Sequence, residues 1–76
     1  MITAKEALNN ALESKYVKNW LEEANREIIE ASAIPSYCIA KLVEDECAEI
    51  IIYKLESLGY KTKWNSFASM IRIEWI

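Results

Sequence analysis

Among 76 residues there is no histidine, a single glycine and two cysteines. Histidine is the commonest general base and a common metal ligand, so its absence removes both supports for catalysis at once. With Gly59 the only glycine, no glycine-rich loop is available to cradle a phosphate. Cys47 lies beside Glu46 on an apolar stripe and reads as an inert core residue. Cys38 is expected in the first turn of a helix, where the dipole would activate a thiol, although a small buried hydrophobe is the simpler reading. If both share that helix, nine residues apart, they lie roughly 13 Å from each other and cannot form a disulfide. Two thiols without histidine or a C-x-x-C spacing make a poor zinc site. No catalytic residue, metal or cofactor is assigned, and the chain is expected not to be an enzyme.

Two other groups could hold a ligand. Glu22, Glu23, Glu27 and Glu30 form one acidic cluster, and Glu44, Asp45, Glu46 and Glu49 form another. A divalent ion between them would want loop oxygens as well, so a solvated acidic face able to dock a basic partner is the plainer reading. Near the C-terminus, Lys61, Lys63 and Arg72 interleave with Tyr60, Trp64 and Trp75, a combination that can hold phosphates while aromatic rings stack on bases. Lys61, Lys63, Trp64, Arg72 and Trp75 are therefore the candidate ligand-binding residues. Strict alternation nevertheless turns the lysines away from the rings, as in an ordinary amphipathic hairpin.

Charge divides along the chain. Residues 1–58 carry six basic side chains against eleven acids, giving −5, and residues 59–76 carry Lys61, Lys63 and Arg72 against Glu74, giving +2, for a net −3. An acidic body argues against general DNA binding. The chain lacks a leader pattern, a cysteine framework or an apolar run near the ~20 residues of a membrane span, and so reads as a soluble, reduced, cytoplasmic protein. Its hydrophobic fraction of 53% belongs to a folded domain. At this length the core is small, about 3–5 kcal/mol without a staple or a partner subunit.

The elements that must position these residues follow from the punctuation. Thr3-Ala4-Lys5-Glu6 fits a capping box, starting a helix at Ala4 that nothing breaks before Ala33. Its apolar stripe changes face, from Ala4, Ala7, Leu8, Ala11 and Leu12 to Val17, Trp20, Leu21, Ala24, Ile28 and Ala31. Either the helix breaks near residues 13–15, with Ser14 capping a new start, or one continuous helix meets two partners and implies an oligomer. Pro35 is expected to open a second helix over residues 35–58, ended by Gly59. Ile39, Ala40, Val43, Cys47, Ile50, Ile51, Leu55 and Leu58 form its main stripe, and Cys38, Leu42, Ile52 and Tyr53 make its far side apolar as well. This helix is therefore expected at the centre of the fold. Residues 60–64 and 70–76 alternate as the two strands of a hairpin. Its unpaired edges invite strand addition across a two-fold axis. The expected fold is α+β in the order helix, helix, strand, strand, one domain over residues 1–76, forming a homodimer or higher oligomer. Trp20 marks either core or interface, and Leu42, Ile52 and Tyr53 are the other interface candidates.

The opening Met1-Ile2-Thr3-Ala4-Lys5-Glu6-Ala7, the helix end Leu55-Glu56-Ser57-Leu58-Gly59-Tyr60-Lys61 and the finish Ile71-Arg72-Ile73-Glu74-Trp75 together resemble small uncharacterised proteins of tailed bacteriophages. The resemblance implies a phage gene product and carries over no site residue. The expectation is a non-catalytic binding protein that engages a host protein or a small ligand, as in host takeover or anti-defence. A structural virion component and a nucleotide-sequestering oligomer using the basic hairpin are the alternatives.

Overall fold

The computed structural model describes all 76 residues and has α+β architecture. Its elements run α1 (Ala4–Leu12), α2 (Lys15–Ala33), β1 (Cys38–Leu42), α3 (Asp45–Ser57), β2 (Lys61–Asn65) and β3 (Met70–Glu74). The α1 start is capped as expected, the Thr3 hydroxyl accepting the Glu6 N–H at 3.1 Å. The return arm of the box is altered, with the Thr3 hydroxyl donating to the Glu6 carboxylate instead of Glu6 reaching the Thr3 amide. Of the two possibilities for residues 4–33, the break is realised. Ser14 is extended and its Oγ accepts the Val17 N–H at 3.3 Å, opening α2 on a new axis. The change of apolar face is thereby absorbed within one chain, because α1 rests against α3 and α2 through the half-buried Leu8, Ala11 and Leu12.

The expected helix over residues 35–58 is replaced by a strand, β1, followed by the shorter helix α3. Pro35 lies in the turn after α2, where it stops one helix without starting another. Ile39 and Val43 share a face at a period of two as well as at the i, i+4 spacing of a helix, so the stripe misread as helical continues into α3 through a real strand. Cys38 and Cys47 therefore occupy different elements, and the helical distance between them does not apply; both are free thiols. The α3 N-terminus has no side-chain cap of its own. Asp45 and Glu46 favour its first turn through the dipole, and the Tyr16 hydroxyl of α2 accepts the Glu44 N–H at 2.9 Å.

The sheet order is β1-β3-β2, with β3 antiparallel to both neighbours. β1 and β2 are thus parallel, joined by α3 across a gap that β3 fills, a split β-α-β arrangement. The hairpin lies where the alternation puts it, within one or two residues. The β3 edge expected to seek a second copy is instead covered by β1 of the same chain. At the end of α3, Gly59 takes φ +96, and the Tyr60 N–H folds back to the Leu55 carbonyl at 3.1 Å.

One face of the sheet carries the helices. Val17, Trp20, Ala24 and Ile28 of α2, Ala48, Ile51 and Leu55 of α3, Ile71 and Ile73 of β3, and Val43 make a single core cluster. Ile51, Ile71 and Ile73 are completely buried, each stabilising the fold by about 1.5–3 kcal/mol relative to exposure. The centre expected for the second helix thus belongs to β3 and the helix face laid on it.

Candidate functional site

The opposite face of the sheet has no helix over it. Register places three rows there, running from β1 through β3 to β2: Cys38, Glu74, Lys61; Ala40, Arg72, Lys63; and Leu42, Met70, Asn65. These are the residues whose neighbours in sequence, Ile39, Lys41, Thr62, Trp64, Ile71 and Ile73, turn toward the helices. Lys61, Lys63 and Arg72 are brought together on this open face as the alternation predicts. Glu74 is drawn into their midst, its side chain only 18% exposed, with Arg72 Nε at 3.0 Å and Lys63 Nζ at 3.5 Å. These exposed pairs are worth little energy. The face carries +2 on a chain whose remaining charge is −5.

Trp75 does not join that cluster, and Trp64 borders it only from the edge of the sheet. Both have the parity of Ile71 and Ile73 and lie on the helix side, with Trp75 packed against the core and Trp64 on the outer flank beside α3. By parity the five candidate ligand-binding residues are split between two faces, but Trp64, at the sheet edge, also lines a shallow groove of about 260 Å³ with Lys63 and Arg72.

The interface candidates also separate. Trp20, read as core or interface, is in the core at 5% exposure. Its Nε1–H donates to the Leu42 carbonyl at 2.8 Å, and the Lys41 ammonium stands 5.7 Å from its ring centre. Leu42 points out of the open face, 66% exposed, at the apolar end formed with Met70. Ile52 is half-buried near Trp64, whereas Tyr53 is exposed on α3.

Sequence reading missed Lys41. Placed on the helix side of β1, it reaches Glu23 at 3.1 Å and Glu27 at 3.2 Å with its side chain only 16% exposed. Burial pulls the ammonium pKa down, but hydrogen bonds and charge from Glu23 and Glu27 outweigh that and leave it above the ordinary lysine value. Half of the first acidic cluster is therefore occupied in tying α2 to β1. Burial pushes the Cys47 thiol up, with Glu44 and Glu46 adding to the effect, which makes it a poor nucleophile. A groove of about 260 Å³ between α2 and α3, lined by Leu21, Ala24, Ile28, Leu55, Leu58 and Tyr60, also escaped the sequence reading. It falls below the usual size of a ligand pocket, ~300–1,000 Å³. No helix is long and apolar enough to cross a membrane. No protein-family model, curated protein or solved structure matches this chain.

Proposed function

We propose that this chain is a non-catalytic binding protein whose working surface is the helix-free face of the sheet, and that its partner is an acidic protein surface. The observation that carries this reading is the concentration of Lys61, Lys63 and Arg72 on the one uncovered face of an otherwise acidic domain. A positive patch on a negative body orients an acidic partner during approach and disfavours other orientations. Nucleotide sequestration has less support, since Trp75 packs against the core and Trp64 borders the cations only from the sheet edge. Two of the features that suggested a homo-oligomer are met in part within one chain, since the break at Ser14 absorbs the change of apolar face and β1 covers one edge of the hairpin, while the β2 edge stays open.

The test is binding of poly-L-glutamate, followed by fluorescence anisotropy at low and high salt. Wild-type protein is expected to bind with an affinity that falls as salt rises, and the Lys63→Glu, Arg72→Glu double variant is expected to lose binding. Equal binding by the two proteins would refute the assignment of the surface. The resemblance to phage proteins supports a host protein as the partner. The chain should then be absent from purified virions, and its detection there at structural copy number by mass spectrometry would refute that part of the proposal.

A further inference from the structure

The two outer edges of the sheet are not equivalent. The bonds from Trp75 N–H to Tyr37 C=O and from Val43 N–H to Ser69 C=O bracket the β1–β3 ladder and set its phase. Odd-numbered residues of β1 and β3 bond each other, so Cys38, Ala40 and Leu42 turn their backbone groups outward. Of those outward carbonyls, Cys38's accepts the Ser36 hydroxyl at 3.3 Å and Leu42's accepts Trp20 Nε1–H at 2.8 Å. The β1 edge is thus obstructed at both ends. On the other side, the even-numbered residues of β3 bond Lys61, Lys63 and Asn65, which leaves Thr62 and Trp64 facing outward. No side chain or loop hydrogen-bonds their N–H or C=O groups. Alongside this free edge runs a groove of about 420 Å³, lined by Asp45, Ala48, Glu49, Ile52, Trp64 and Ser66.

Resting on the proposed binding role, we infer that β2 accepts an extended acidic peptide of the partner as a fourth strand. Its backbone would pair with Thr62 and Trp64, its acidic side chains would lie beside Lys61 and Lys63, and its alternate apolar side chains would enter the groove over Ile52 and Trp64. A second copy of the chain fits badly. Antiparallel self-pairing through the outward groups sets Lys63 against Lys63 when centred there and Lys61 against Lys63 when centred on Thr62, while centring on Trp64 sets Lys63 against the uncharged Asn65 and gains no ion pair. Like charges on an edge oppose self-association while favouring an acidic strand.

The test uses a seven-residue peptide alternating valine and glutamate, titrated into the 15N-labelled protein. The amides of Thr62 and Trp64 should shift and gain protection from exchange while that of Ala40 stays unchanged. A peptide alternating valine and lysine should bind at least about fivefold more weakly, as expected for exchanging two exposed ion pairs for two repulsions. A valine–glutamate peptide N-methylated on its pairing side should not bind, and this control leaves the fold of the protein untouched. Equal binding of the N-methylated peptide, with shifts at Ala40 and Arg72, would overturn strand addition while leaving the basic face as the binding surface. Absence of any shift at millimolar peptide would overturn strand addition, and poly-L-glutamate binding would then decide separately whether the surface assignment stands.

Discussion

Replacing Trp20 by phenylalanine tests whether that ring belongs to the core of a single chain. The substitution removes the Nε1–H that donates to the Leu42 carbonyl at 2.8 Å, and about three heavy atoms from a ring 5% exposed. A hydrogen bond of this kind is worth about 0.5–1.5 kcal/mol net. The low end applies, because Leu42 is 66% exposed and water can replace the lost donor. The missing ring atoms add at most about 2 kcal/mol at ~0.8 kcal/mol per buried carbon, and the weaker attraction to Lys41 adds a few tenths. The expected loss is therefore about 2 kcal/mol, a large share of the ~3–5 kcal/mol that a core of this size supplies. Urea denaturation should show a lower midpoint with an unchanged slope, and the melting temperature should fall by about 8–16 °C. Tyr53→Ala, at an exposed position on α3, should stay within about 0.5 kcal/mol of wild type. If Trp20→Phe were equally mild, Trp20 would be a surface residue and its place in the core would be wrong.

Other substitutions probe single devices. Ser14→Ala should cost about 1 kcal/mol in denaturant stability, because the Val17 N–H loses its acceptor at the start of α2. Gly59→Ala should cost about 1–2 kcal/mol from backbone strain alone, since φ is +96 and an added Cβ meets nothing within 4 Å. Lys41 is held above the ordinary lysine value of 10.5, so its contribution is complete below that pH and is lost as pH rises through the folded-state value. Stability measured against alkaline pH should show this fall in the wild type, and Lys41→Met should flatten it. Cys47, its thiol pushed up by burial and by Glu44 and Glu46, should react with iodoacetamide at neutral pH more slowly than a cysteine in a short peptide.

The parts of the fold legible in the sequence are those fixed by local chemistry. Thr3 and Ser14 cap helices with their own hydroxyls, Gly59 supplies a conformation other residues resist, and residues 61–65 and 70–74 alternate clearly. β1 was hidden because Ile39 and Val43 fit both a helical and a strand period, and because what makes 38–42 a strand is β3, about thirty residues away. The cap on Glu44 comes from Tyr16, twenty-eight positions earlier, where no local pattern could reveal it. The same holds for the site. Alternation puts Lys61 and Lys63 on the face opposite Thr62 and Trp64, but that one sheet face lacks a helix, and one edge lacks a cover, are properties of the assembled sheet.

The central place of β3 also bears on how the domain comes into being. β1 and β2 are parallel and do not touch, so neither has a sheet partner until residues 70–74 have been made. A ribosome adding residues in order therefore produces α1, α2 and α3 well before there is a surface for Val43, Ile51 and Leu55 to close upon. Assembly waits for the last strand, and its closing contacts join distant parts of the chain, the kind of pairing that slows folding relative to a helical bundle. A nascent chain halted short of Met70 would carry the helical segments without the strand they close upon, and would expose the apolar surface that the finished domain hides.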